Sequence, residues 1–459
     1  MQESGKSSDT IAAVSTPPGK GAIAIVRMSG DEALRIARRL FVPASGNRKG
    51  RLTRGMFVGS LRDPARGRVI DRVVMLIMPG PNSYTGQDVV EFHCHGGTVT
   101  PNLVLRTLIE SGCRQARRGE FSLRAFLGGR LDLLQAESVL DVIESRSELA
   151  QREALLRMEG SLSGVINNLR DEILELSARL EYYIDFPEED DRIEWPLGER
   201  ERAARLISTI EHLLETAVDS KVLTEGLLTV IAGAPNVGKS SLFNLLLTTE
   251  RAIVTPTPGT TRDAIEATVE IGEIPLRLVD TAGLRPTDDP VERKGVEFSR
   301  RYLEAADVIL LVLEANRNAF DEECKFIEEF GDRCIVVVNK SDLGMRIDTR
   351  PLDRCLQAVV ISCLERTGIG ELKKALCKQA ESKIKVNSEK PVVVRSRHRE
   401  GLMRANEALK RFRDELEKSP PEILSIELRE AREALEELTG KLATEELLER
   451  IFSEFCVGK

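Results

Sequence analysis

An α/β architecture combined with an all-α part follows from three features of this 459-residue chain. Short β-rich runs, each closed by Gly or Pro, occupy the first 120 residues. Apolar residues three and four apart fill two later stretches, the mark of helices. Between those stretches a buried apolar strand runs into a glycine-rich loop. Strand and helix then alternate, as they do around a parallel sheet.

Residues 10–120 read as a small α/β or α+β domain. Ala22-Ile-Ala-Ile-Val26 and Val73-Val-Met-Leu-Ile77 are its strands, and 31–40 a short helix opened by Gly30-Asp31. Residues 79–86 are turn chemistry throughout. From 131 to 184 the pattern is helical: Leu131, Leu134, Val139, Val142 and Ile143, then Leu155, Leu156, Leu162, Ile166, Leu169, Ile173, Leu176, Leu180 and Ile184. Phe186-Pro187 breaks it, and the acidic run 188–191 is a solvated loop before a further helix at 197–223. Leu227-Leu-Thr-Val-Ile231 is a buried strand, and the strand–helix alternation lasts to about Leu376. After Pro391 helical spacing returns at Leu402, Leu409 and Phe412, then through 426–455. One helical domain with the alternating module inserted is the economical reading; two separate helical domains are the alternative.

Hydrophobic content of 41% and charged content of 31% suit a soluble globular protein. A net charge of −8 does not announce nucleic-acid binding, so any such contact must use local basic patches. Eight cysteines without a CxxC pair argue against structural zinc and disulfide scaffolds and fit a reducing cytoplasm. No segment holds the ~18 uninterrupted apolar residues that a membrane span needs, and the first ten residues lack a signal core.

The chemistry is concentrated in Gly233-Ala-Pro-Asn-Val-Gly-Lys-Ser240, Asp280-Thr-Ala-Gly283 and Asn339-Lys-Ser-Asp342. The first is a P-loop, whose Gly233 and Gly238 let backbone N–H groups surround a phosphate at a helix start. Lys239 is placed for the β- and γ-phosphates and Ser240 for Mg²⁺. Val237 and Ser241 complete that contact surface. Asp280 is the magnesium-side acid, with Thr281 and Ala282 leading to Gly283 at the γ-phosphate. Asp342 accepts two hydrogen bonds from guanine N1–H and N2–H₂, a donor pair that adenine lacks, and such a site discriminates by ~10⁴. Asn339 and Lys340 buttress the base and the P-loop. Ser362-Cys363, after the strand Ala358-Val-Val-Ile361, is a candidate for the last base-contacting loop.

Two features depart from the commonest GTPase plan. Leu284 stands where a water-orienting Gln is usual, and leucine cannot orient water. Glu292 is an acidic candidate for that task, set against a plain solvated helix start. Second, Asn236 in the P-loop and Thr255-Pro-Thr-Pro-Gly-Thr-Thr261 supply more oxygens than a switch needs. Thr261 is the natural second Mg²⁺ ligand. The remaining oxygens, together with the Asn236 amide, suit a monovalent cation in place of an arginine finger. The alternative is a Pro-rich flexible loop.

Outside the module, Glu91, His93 and His95 share a face in an extended strand and invite a metal reading, which the absence of a fourth ligand weighs against. Cys456 follows an amphipathic helix and reads either as a buried thiol or as a reactive one. Arg114, Arg117, Arg118, Arg124 and Arg395-Ser-Arg-His-Arg399 are candidate phosphate contacts, weighed against ordinary surface pairing.

Nearly the whole chain resembles the MnmE (TrmE) family of tRNA-modification GTPases. The resemblance rests on Thr16-Pro-Pro-Gly19, Gly80-Pro-Asn-Ser-Tyr-Thr-Gly86, His95-Gly-Gly97, Arg118-Gly-Glu-Phe121, Arg124-Ala-Phe126 and Leu131-Asp-Leu133. Gly259-Thr-Thr-Arg-Asp263, Asp280-Thr-Ala-Gly-Leu-Arg285 and Phe455-Cys-Val-Gly-Lys459 add to it. It implies an N-terminal α/β folate-binding and dimerisation domain (1–120), a helical domain in two parts (121–224 and 381–459) and an inserted Ras-like P-loop GTPase domain (225–380). It further implies a cytoplasmic homodimer whose G domains pair with K⁺. An FAD-dependent MnmG-type partner would join it in adding a carboxymethylaminomethyl or aminomethyl group to C5 of the wobble uridine of tRNA. The one-carbon donor would be a 5-formyl- or methylene-tetrahydrofolate.

By motif, the resemblance assigns K⁺ to Asn236, Thr255, Thr257 and Thr260, and Mg²⁺ to Ser240 and Thr261. Pro256, Pro258 and Gly259 fall within the same nucleotide loop. Glu292 matches the family's water-positioning glutamate, and Arg285 and Cys456 join it as catalytic candidates. Arg27, Glu91, Arg130 and Lys459 match folate-lining positions, Arg130 standing where a lysine is usual. Ser362-Cys363 departs from the more usual Ser-Ala. The rival reading is a regulatory GTPase switch assisting ribosome assembly, which leaves the folate-type motifs without a task. A folate-binding regulator without catalysis is a third.

Overall fold

The computed structural model describes residues 9–44, 53–185, 197–216, 222, 226–249, 251–253, 265–280, 300–317, 321–346, 357–384 and 392–459. By compactness the chain divides into Met1–Leu140 with Glu436–Lys459, and Asp141–Leu435. Residues 436–459, the end of the expected second helical part, group by compactness with the N-terminal unit.

The first unit is built on a seven-stranded sheet of order β3-β4-β5-β6-β2-β1-β7. Its strands are β1 (Ile11–Val14), β2 (Ile23–Ser29), β3 (Phe41–Pro43), β4 (Gly55–Asp63), β5 (Arg68–Met78), β6 (Val89–His95) and β7 (Arg114–Gln115). All pairs are antiparallel except β1 with β7. Alternation puts Val26, Met28, Met75, Ile77, Val90 and Phe92 into one core. Helices Ala33–Leu40 and Val99–Glu110 cover it through Ile36, Leu40, Val104 and Leu108.

The second unit contains the other seven-stranded sheet, β14-β13-β12-β8-β11-β10-β9. Here β8 is Leu227–Ala232, β9 Arg251–Ile253, β10 Ile265–Ile271, β11 Ile274–Asp280, β12 Val308–Glu314, β13 Cys334–Asn339 and β14 Gln357–Val360. Pairing is parallel except at β10, which runs antiparallel to both β9 and β11. The central strands are buried on both faces and read as continuous apolar runs, as parallel strands must.

Helix Ser161–Asp185 buries Leu162, Ile166, Leu169, Ile173, Leu176 and Leu180, the stripe that the spacing predicts. The preceding helix differs. Glu148–Met158 buries Leu149, Ala150, Glu153, Ala154 and Arg157, while Leu155 and Leu156 are only half-buried. Helix Leu197–Glu215 packs against Ser396–Glu415, so helical segments from either side of the α/β module come together. The break at 186–187 and the expected helix end at 223 lie outside the described residues. No helix among the described residues is long and apolar enough to cross a membrane.

Candidate functional site

The α/β module gathers its polar residues at the carboxyl ends of parallel strands, where open α/β sheets bind ligands. β8 runs straight into Gly233, whose φ is +140° and where a Cβ would strike the Val312 carbonyl. Asn236 is left-handed at φ 65°. At Gly238 (φ +102°) a Cβ would collide with the Asn339 amide nitrogen. The loop is therefore wound tightly against β12 and β13, and only glycine fits at its two approaches.

Val237 is buried, and Lys239 opens the helix Lys239–Thr249. The Lys239 ammonium donates to the Gly233 carbonyl at 2.9 Å and the Ala234 carbonyl at 2.8 Å. Burial lowers its pKa from the ordinary lysine value, with Asp280 opposing. Ser240 Oγ donates to Asp280 Oδ2 at 2.8 Å. Asp280 ends β11, and Ser241 is exposed in the first turn of the helix. The hydroxyl and carboxylate oxygens of Ser240 and Asp280 are hard donors of the kind that Mg²⁺ takes.

On the other side Asn339 ends β13 and is buried. Its Nδ2 donates to the Val237 carbonyl at 2.9 Å, and its Oδ1 accepts the Cys363 N–H at 3.1 Å. One side chain thus ties the P-loop to the loop after β14. Buried Ser362 donates from Oγ to Asp342 Oδ1 at 2.5 Å and leaves the rest of that exposed carboxylate facing outward. Lys340, left-handed at φ 62°, turns its ammonium to Glu314 Oε1 at 3.2 Å. Burial pushes the Cys363 thiol up to about 11, with Asp342 adding to it. A carboxylate so fixed can accept the paired N1–H and N2–H₂ donors of a guanine.

The structure therefore brings Gly233, Asn236, Val237, Gly238, Lys239, Ser240, Asp280, Asn339, Lys340, Asp342, Ser362 and Cys363 to one end of the sheet. Thr255, Pro256, Thr257, Pro258, Gly259, Thr260 and Thr261 lie outside the described residues, as do Thr281, Ala282, Gly283, Leu284, Arg285 and Glu292.

A second polar cluster lies in the N-terminal unit. Arg27 on β2 and Glu91 on β6 are register partners, and Arg27 Nε donates to Glu91 Oε1 at 2.8 Å. The guanidinium lies over the rings of Tyr84 and Phe121, 5.7 and 5.8 Å from their centroids. Its Nη1 donates to the Gly458 carbonyl at 3.4 Å. Ser15 Oγ donates to that same carbonyl at 3.2 Å, and Phe121 N–H to the Lys459 carbonyl at 3.1 Å. Burial holds the Lys459 ammonium below the usual lysine range; Arg27 adds to this, while Glu91 and Cys456 oppose it. Arg130 is exposed against Gly86, in the loop that supplies Tyr84. Glu91 also meets His93 Nε2 at 3.1 Å, but His95 pairs instead with Asp71 at 2.8 Å, so the three-residue face is split.

Several arginines offered for phosphates are engaged elsewhere. Arg114 and Arg124 bridge Asp9 and Glu120, Arg118 Nε donates to the Phe455 carbonyl at 3.1 Å, and Arg395 pairs with Asp141 at 2.8 Å. Arg117 and Arg399 are exposed. Cys456 is exposed rather than buried, and its carbonyl accepts the Gly119 N–H at 3.4 Å.

Glu314 is a site residue that motif spacing missed. It stands in register with Asn339 across β12 and β13, a neighbour relation visible only once the strands are paired. Tyr84 and Phe121 were legible as parts of motifs but not as the rings beneath Arg27.

Two family models match: "GTP-binding protein TrmE N-terminus" over residues 10–130 and "MnmE helical domain" over 133–456. The latter spans the α/β module, as an insertion within a helical domain requires. Among curated proteins, the "tRNA modification GTPase MnmE" of Geobacillus kaustophilus is 45% identical over 458 residues, covering 98% of this chain and 99% of that protein. That of Clostridioides difficile is 41% identical over 457 residues, with 98% and 99% covered. Likeness of this extent reaches both polar clusters, and the chain belongs to the MnmE family of tRNA modification GTPases.

Proposed function

We propose that this GTPase spends GTP on modification of the tRNA wobble uridine at C5, with a folate one-carbon donor and an FAD-dependent MnmG-type partner. The observation that carries the folate half is the convergence of Arg27, Glu91 and Lys459, residues from two strands and from a segment more than 430 positions beyond Arg27. A guanidinium over aromatic rings and a half-buried ammonium suit an anionic, ring-bearing ligand. Arg27 and Lys459 would orient it through its carboxylates, and Glu91 would accept N–H donors of its pterin. A bound tetrahydrofolate would supply the one-carbon unit.

In the G domain, Lys239 and the loop N–H groups hold the phosphates, Ser240 with Thr261 and Asp280 serve Mg²⁺, and Asp342 reads guanine. Asn236 with Thr255, Thr257 and Thr260 would hold K⁺, Glu292 would orient water, and Arg285 and Cys456 would act in catalysis. The proposed assembly is a cytoplasmic homodimer whose G domains meet across K⁺.

Mass analysis of tRNA nucleosides from a deletion strain tests the tRNA reaction: the modified wobble uridine should vanish, and an unchanged profile would refute it. GTP turnover tests the cation. It should rise with K⁺ over Na⁺, and equal rates in the two salts would remove K⁺ from the scheme.

A further inference from the structure

The hairpin β10–β11 joins the two nucleotide-sensing segments of the G domain. β10 begins directly after residues 254–264, and β11 ends on Asp280, which bonds Ser240. Its register is unbroken from Ile265↔Asp280 to Ile271↔Ile274. The turn places Gly272 at φ +58° and Glu273 at φ +67°. Two consecutive left-handed residues form the mirror-image turn that matches strand twist, so the hairpin behaves as one stiff unit.

The tip of this hairpin grips the helix Glu148–Met158. Glu270 Oε1 accepts the Glu148 N–H at 3.1 Å, a carboxylate at a helix N-terminus, beside Ser147 Oγ, which accepts the Ala150 N–H at 3.1 Å. Arg152 Nη1 pairs with Glu273 at 3.0 Å. Leu149 and Ala150 are buried in the same core as Val269, Ile271 and Ile274. At the far end of the helix, Arg157 Nη2 bonds Asp141 Oδ2 at 3.0 Å, and Arg395 Nη2 bonds Asp141 Oδ1 at 2.8 Å. A carboxylate shared by two guanidiniums in a buried setting is costly to break by removing one member.

We infer that the β10–β11 hairpin is the output lever of the nucleotide site. It passes a displacement of Asp280 to helix Glu148–Met158 and, through Asp141, to Arg395 at the head of Ser396–Glu415. The inference rests on GTP binding and hydrolysis alone, so it stands or falls apart from the folate and tRNA readings.

Hydrogen exchange on the full chain tests it, comparing the protein bound to GDP with the protein bound to a non-hydrolysable GTP analogue. Amides of residues 148–158 should exchange differently in the two states. In a Glu270→Ala/Glu273→Ala variant that difference should be lost. GTP turnover should stay within about twofold, since Glu270 and Glu273 sit at the hairpin tip, at the opposite end of β10–β11 from Asp280. The charge swap Arg152→Glu with Glu273→Arg, keeping Glu270, should restore part of the difference relative to Arg152→Glu alone. Identical exchange of 148–158 in both states of the unaltered protein would overturn the lever, and so would a difference that survives in the double variant.

Discussion

Asp342 shows how much a single residue's role depends on its neighbour. The carboxylate is exposed, yet one oxygen is held by the buried Ser362 hydroxyl, which fixes the direction of the rest. Asp342→Asn keeps an oxygen for that hydroxyl, so the fold should be undisturbed. On the proposed base reading it loses charge-assisted bonds to guanine, each worth about 1.5–3 kcal/mol. GTP binding should weaken by on the order of 100-fold. Xanthosine triphosphate, with an acceptor at C2 for the new amide donor, should gain. Titration with fluorescent nucleotides measures both, and unchanged GTP affinity would remove Asp342 from base recognition. Motif spacing points to Asp342 because one residue type in one pattern carries the proposed chemistry, and the structure places it beside Ser362. Spacing could not pick out Glu314, whose partnership with Lys340 arises from strand register.

At the scale of elements, apolar spacing located the helices well where the buried face is apolar, as in Ser161–Asp185. It misplaced the buried face of Glu148–Met158 because Glu153 and Arg157 occupy core positions there, and a hydrophobic pattern cannot register a buried charge. That face has a pH consequence. Burial raises the Glu153 carboxyl above its ordinary 4.5, with Arg157 and Arg152 opposing. Folded Glu153 therefore holds its proton more tightly than unfolded Glu153. In the window above 4.5, up to the raised value, the folded state carries more protons, and stability falls as pH rises through it. Glu153→Gln removes this loss. Its thermal midpoint should exceed that of the unaltered protein at neutral pH, and the gain should shrink toward about pH 4. A midpoint difference that is flat across that range would contradict the assignment.

Across the whole molecule, the insertion was legible because helical spacing stops before β8 and resumes after Pro391, and helices from the two sides do pack together. The attachment of residues 456–459 to the N-terminal sheet was not legible from periodicity, since hydrogen bonds spanning 443 and 431 positions leave no local pattern. Only the family motif Phe455-Cys-Val-Gly-Lys459 pointed there, and the geometry now gives that motif a physical reason. Gly458 sits at φ +95°, where a Cβ would lie 2.7 Å from the Val14 carbonyl, and its own carbonyl serves both Ser15 and Arg27. Two substitutions separate position from charge. Gly458→Ala forces the segment off β1 and should disturb Arg27 and Lys459 together. Lys459→Met leaves the backbone seated and removes only the ammonium. On the proposed folate reading, both should weaken 5-formyltetrahydrofolate binding, Lys459→Met by about tenfold for one charge-assisted contact and Gly458→Ala by more. Both positions lie outside the nucleotide-site residues, in the unit Met1–Leu140 with Glu436–Lys459, so GTP turnover should be unchanged. Calorimetry with the folate and a phosphate-release assay read the two sites independently. Full folate affinity in Lys459→Met would assign the ammonium to packing alone, whereas full affinity in Gly458→Ala would detach the whole 456–459 segment from the ligand.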